Sequence, residues 1–222
     1  MTELPTPAPA RGTSLGGYVV VLLLVAVSYA LCAAQVTSNT SSVAFLVQLA
    51  TVAVILRVAR VNERARRVGW VVLAVAGAAA ILVWATGAQG RVLDIVLSAA
   101  SAFAYLIAPA AVIAHQVRRR RVDGQSLLAA VVAYVLVGMF FAFLYNVVSL
   151  ATGVPMFGES ADDSLTSQLF FSFTTLTTTG YGNLIPVGAV GQTVAIAEAI
   201  TGQLFLVIAV ARVVAGWERP SQ

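Results

Sequence analysis

A chain of 222 residues that is 59% hydrophobic and only 10% charged is not an ordinary soluble domain. That balance predicts a membrane protein crossing the bilayer several times. The net charge of +4 invites a nucleic-acid reading, but the bases are distributed by topology, as argued below, and no nucleic-acid partner is expected. Cys32 is the single cysteine and His115 the single histidine, which excludes a disulfide framework and most metal sites.

Residues 1–15 are rich in Pro, Thr and Ala and read as a disordered tail. Six apolar runs follow: Gly17–Gln35, Ser42–Val58, Trp70–Thr86, Leu93–Gln116, Leu127–Leu150 and Val187–Ala215. Each is near or above the roughly 20 residues that cross hydrocarbon, with allowance for tilt. A signal peptide would place its apolar region at Tyr18 to Leu31. The run continues to about Ala34, nearer a full span, so a retained first helix is favoured.

The loops orient these runs. The loop after the first holds no charge, and the loop after the second holds Arg57, Arg60, Arg64, Arg66 and Arg67. Arg91 follows the third run, and Arg118, Arg119, Arg120 and Arg121 follow the fourth. The stretch before the sixth run carries Glu159, Asp162 and Asp163 and no base. All thirteen bases are Arg, and only Arg91 lies opposite the rest. The positive-inside rule then puts both termini in the cytoplasm of a cell membrane. The Arg, Ala and Val usage hints at a GC-rich bacterial source. Arg118–Arg121 have two readings, a topology anchor and a site for anionic lipid headgroups.

Between the fifth and sixth runs lies Thr177-Thr178-Thr179-Gly180-Tyr181-Gly182-Asn183. This string resembles the selectivity filter of tetrameric potassium channels. The resemblance covers about residues 125–216. It implies backbone carbonyls of Thr178, Thr179, Gly180, Tyr181 and Gly182 that replace the hydration shell of K⁺, the only ion or cofactor expected. Aiming successive carbonyls at one axis requires alternating backbone conformations, some with φ > 0, which glycine tolerates. The Thr178 hydroxyl would add a ligand at the inner end, and Tyr181 would brace the loop from behind. One chain supplies one loop, so three further copies are implied, a homotetramer.

The same resemblance assigns the surroundings. Asp163–Thr177 is too short to span and reads as a re-entrant pore helix, capped by Asp162, Asp163 or Ser164. Phe170 and Phe171 stand where the family carries aromatics that brace the filter tyrosine. Asn183 replaces the usual Asp, and Thr174 stands where some relatives are acidic. Gly202 aligns with the hinge glycine of the inner helix, and reads equally as a small residue for close packing. Gln203, Leu206, Val210 and Val214 would line the cavity, with Leu206 and Val210 as a hydrophobic gate. Glu198 is an intramembrane acid that needs a partner. Thr174 and Thr175 are the candidates, with stiffening of the filter or a plain structural bond as the two roles.

Four helices before a pore module match the voltage-gated architecture only in helix count. The fourth run has Arg91 and Asp94 at its outer end, spaced to pair with each other. It carries no base again until Arg118, and Pro109 would kink it. Without charges in the field, little voltage dependence is expected. The rival ladder Arg57, Arg60, Arg64 and Arg67 reads as a solvated cytoplasmic face. His115 near the inner end of the fourth run reads as an interfacial polar residue, with a pH-sensing role as the alternative. Only Glu218 to Gln222 follow Trp217, so no ligand-binding domain is expected there.

The expectation is an all-α membrane protein of six transmembrane helices plus a re-entrant pore helix and filter loop. Its divisions are a tail at 1–15, a four-helix domain at 16–121, a pore domain at 122–217 and a short tail at 218–222. Its expected function is passive, potassium-selective conduction without enzymatic activity. A weakly selective cation channel is the alternative within the class. A potassium-uptake transporter subunit would carry four such loops in one chain, and an intramembrane enzyme would need convergent titratable groups at depth.

Overall fold

The computed structural model describes residues 15–33, 50–51, 53–54, 67, 70–71, 74, 77–78, 81, 91–117, 124–159 and 161–217. The expected N-terminal tail up to residue 14, most of the second and third runs, the Arg118–Arg121 cluster and the tail at 218–222 lie outside them.

Among the described residues every regular element longer than a turn is an α-helix. We label them α1 (Leu15–Ala33), α2 (Arg91–Val117), α3 (Gly124–Thr152), α4 (Leu165–Leu176) and α5 (Gly188–Trp217). α1, α3 and α5 are apolar around their whole circumference, as helices buried in protein or lipid are. α3 and the Gly188–Arg212 part of α5 are long and apolar enough to cross a membrane. The described apolar stretches in α1 and α2, Val19–Leu31 and Asp94–Ala110, are shorter. α2 runs on through Pro109, which sits in its interior.

α3 is the hub. It packs against α2, α4, α1 and α5. One continuous core joins Val21 and Val25 of α1, Tyr105 and Val112 of α2, Leu136 and Phe143 of α3, and Leu165 and Leu169 of α4. Among the described residues α1 and α2 do not pack on each other; α1 lies on α3 and α4, and α2 on α3. Ser28 of α1 and Thr51 bond through their hydroxyls at 2.9 Å, both buried.

The C-terminal end of α3 is closed by a base from α2. Arg91 Nε donates to Leu150 O at 2.7 Å, and its Nη2 lies 3.5 Å from Ala151 O. The expected pairing of Arg91 with Asp94 is therefore replaced by a cap on the free carbonyls of a helix C-terminus, where positive charge is favoured. Gly153, at φ +70°, makes room: a Cβ there would lie 2.4 Å from Arg91 Nη2.

Candidate functional site

The loop 153–164 is held by its carboxylates. Asp163 Oδ1 accepts from Met156 N at 2.8 Å, and its Oδ2 accepts from the Ser149 hydroxyl. Met156 O in turn accepts from Val187 N at 2.9 Å, which ties the entry of the hairpin to its exit. Of the three capping candidates, Ser164 is the N-cap of α4: its Oγ accepts from Ser167 N at 3.3 Å. Asp162 supports the cap by accepting from the Ser164 hydroxyl at 2.6 Å and the Ser167 hydroxyl at 2.8 Å. These two hydroxyls hold its carboxyl below the usual carboxylate range.

α4 ends at Thr177 and the chain turns back as the filter-like string. The backbone there alternates. Thr178, Gly180 and Gly182 have φ of +59°, +52° and +76°, while Thr179 and Tyr181 between them do not enter that region. Thr178 is the only described non-glycine residue with positive φ, a costly conformation for a β-branched side chain. The amide groups of the string point back into α4: Thr179 N and Gly180 N both donate to Thr174 O, at 2.8 and 3.1 Å. Thr177 Oγ1 donates to Phe173 O at 2.6 Å, so Thr179 supplies the proton for the 2.9 Å contact between the two hydroxyls. Among the described residues no hydrogen bond ends on the carbonyls of residues 177–182. The whole stretch 177–183 is exposed in one chain.

Thr174 thus supports the string through its main chain, while its hydroxyl turns back to Phe171 O at 3.0 Å. The two phenylalanines part company. Phe170 stacks on Tyr181, with centroids 5.8 Å apart and planes at 10°. Phe171 faces the other way, edge-on to Tyr145 and Phe157 at 5.2 Å each. The expectation that Phe171 braces Tyr181 is corrected: adjacent residues on a helix point about 100° apart, so one of them must face α3.

Behind the string, α5 grips α4 at two levels one turn apart. Glu198 is fully buried, with Oε1 2.5 Å from Ser172 Oγ and Oε2 2.5 Å from the Tyr145 hydroxyl. Ser172 Oγ also lies 2.8 Å from Gly138 O. The expected partners Thr174 and Thr175 are not used, because Ser172 is the α4 hydroxyl on the face turned to α3 and α5. Four residues on in both helices, Gly202 meets Leu176 so closely that a Cβ would lie 2.4 Å from the Leu176 carbonyl oxygen. Gly202 therefore has a packing reason to be glycine. Tyr134 of α3 donates to that same carbonyl at 2.9 Å. Tyr134, Tyr145, Ser172 and Gly138 were not singled out in the sequence. Hydroxyls inside apolar stretches are the signal that could have found the tyrosines and Ser172; Gly138 acts through its backbone carbonyl and gives no such signal.

Gln203, Leu206, Val210 and Val214 lie on the exposed surface of α5. Asn183 is exposed at the end of the string. Among the described residues no cluster of His, Cys, Asp or Glu could hold a metal ion.

A short helix entering part-way, a string with alternating backbone handedness and a long apolar helix behind it define the pore module of an ion channel. Residues 129–216 match the ion channel family. The chain is also 35% identical over 88 residues to the inward rectifier potassium channel Kirbac3.1 of Paramagnetospirillum magnetotacticum. That match covers 40% of this chain and 28% of the length of that channel. Protein LctB of Bacillus caldotenax is 32% identical over 104 residues, 44% of this chain and 77% of LctB. Residues 129–216 thus carry an ion channel domain, in a chain whose long apolar helices α3 and α5 suit a membrane and which is similar over part of its length to a potassium channel.

Proposed function

We propose that this chain is the subunit of a potassium-selective channel, conducting passively through a four-fold ring of carbonyls. The observation that carries the reading is the alternation of φ at Thr178, Gly180 and Gly182. Alternating handedness turns successive carbonyls to one side, and the N–H groups of Thr178, Thr179 and Gly180 are already engaged by Thr175 O and Thr174 O. What remains free is a row of oxygens, the chemistry that replaces water around K⁺.

One chain gives one row, so the working unit is a homotetramer. The exposed apolar residues all along α5, including Ile196, Ile200, Leu204, Val207 and Val210, suit a helix shared between neighbouring copies, pore and lipid. In that assembly Thr178 to Gly182 bind the ion, Gln203, Leu206 and Val210 line the cavity and inner gate, and Phe170, Thr174 and Asn183 support the filter. The further divisions follow: six spans with cytoplasmic termini, a four-helix domain at 16–121, a pore domain at 122–217, little voltage dependence, and Arg118–Arg121 beside anionic lipid.

The test is a reversal potential in planar bilayers with K⁺ on one side and Na⁺ on the other. A value near the potassium equilibrium potential, lost in Gly180→Ala, is expected. A value near zero would leave a weakly selective cation pore, with Asn183 and Thr174 the first suspects.

A further inference from the structure

The Glu198 cluster has three short polar contacts: Tyr145 Oη to Oε2 at 2.5 Å, Ser172 Oγ to Oε1 at 2.5 Å, and Ser172 Oγ to Gly138 O at 2.8 Å. Each contact needs one proton. The tyrosine and serine hydroxyls supply two. Gly138 O can only accept, so the third proton must sit on Glu198. With it there, every polar atom is served. Glu198 Oε1–H donates to Ser172, Ser172 donates to Gly138 O, and Tyr145 donates to Oε2.

The surroundings favour the same proton count. Glu198, Ser172 and Tyr145 are each fully buried. A buried carboxylate is stable only with a compensating charge. The titratable groups facing it are Tyr145 and Tyr134 of α3. α4 contributes only hydroxyls, and the nearest base along α5 is Arg212, fourteen residues on. Arg91 is engaged at the C-terminal end of α3.

We infer that Glu198 is a positioning residue, held as a neutral carboxylic acid, that fastens the inner helix to the pore helix and the outer helix behind the filter. Together with the Gly202–Leu176 contact it makes a two-level clamp, Glu198 on Ser172 and Gly202 on Leu176, four residues apart on each helix. The upper half of α5 then belongs mechanically to the filter, and any movement of a gate is confined to the part of α5 beyond Gly202. This role rests on the channel reading; the protonation state does not.

The experiment compares the full-length protein with Glu198→Gln, Ser172→Ala and Tyr145→Phe. Infrared difference spectra of wild type against Glu198→Gln report the acid directly. A protonated-carboxyl band at neutral pH, shifting in D₂O and missing from the variant, is expected. A difference confined to carboxylate bands overturns the inference. Gln offers an N–H to Ser172 and a carbonyl to Tyr145, so Glu198→Gln should keep the K⁺/Na⁺ permeability ratio within about twofold. Ser172→Ala removes two hydrogen bonds of the cluster and Tyr145→Phe one, and each should lower that ratio about tenfold. Equal behaviour of all three variants would remove the positioning role. If the acid band is present but the wild type passes no selective K⁺ current, the neutral cluster stands and the channel reading falls instead.

Discussion

Tyr134 donates its hydroxyl proton to the carbonyl of Leu176, 2.9 Å away, at the residue where α4 hands over to the filter-like string. The C-terminal carbonyls of a helix have no partner within it, and Leu176 is fully buried. A side chain from the neighbouring helix therefore supplies the missing donor. Tyr134→Phe should cost about 1 kcal/mol of stability, the usual net value of such a bond. Thermal unfolding of the purified protein in detergent checks this, and an unchanged midpoint would mean that the carbonyl finds another donor.

On the opposite side of that carbonyl sits Gly202. Gly202→Ala would put its Cβ 2.4 Å from Leu176 O, a main-chain atom that cannot swing aside. The expected cost is about 1–3 kcal/mol, from forced separation of α5 and α4. Gly124, at the start of α3, is the control, since a Cβ there meets nothing within 4 Å. Gly124→Ala should be neutral or slightly stabilising. Folded yield and thermal midpoint of the two variants decide between a packing glycine and a dispensable one.

Gly182 makes a different demand. Nothing lies within 4 Å of where its Cβ would be, yet its φ is +76°. The obstacle to Gly182→Ala is thus conformational, about 1–2 kcal/mol of local backbone strain. The variant should express and assemble normally but lose K⁺ over Na⁺ selectivity. D-alanine introduced at this position by semisynthesis prefers φ > 0 and should restore it. Loss of selectivity in both would point to the added methyl group rather than to the backbone.

Asp162 gives the loop 153–164 a pH dependence of known sign. Its carboxyl is held below the ordinary aspartate range by the Ser164 and Ser167 hydroxyls. A depressed value means that the charged form is stabilised by folding. The contribution is full above the unfolded value and is lost as pH falls through the lower folded value. The thermal midpoint should therefore decline on acidification below about pH 4. Asp162→Asn should flatten that acid limb and leave the midpoint at neutral pH only slightly lower, because the group is exposed.

The pore hairpin was legible because its chemistry is local. A filter string, a cap and a short helix are each written in a few consecutive residues, and glycine at alternate positions states its own backbone requirement. Side-chain partners across helices were less legible. Glu198 declared its need for a partner, but which of Ser172, Thr174 and Thr175 met it depended on the rotation of α4 against α5. The same rotation separated Phe170 from Phe171. Arg91 was misread as a partner of Asp94 because spacing along one helix is visible in a sequence, whereas the carbonyls of Leu150 and Ala151, 59 and 60 positions away, are not.

α1 meets the pore helix directly. Tyr29 sits edge-on to Phe173 at 5.5 Å, and the Phe173 ring lies where a side chain on Gly138 would be. Gly138 is also the residue whose carbonyl holds Ser172. α1 is thus a single ring contact from the helix that leads into the filter-like string, with no intervening described element. A sideways displacement of α1 would therefore reach α4 without passing through another helix.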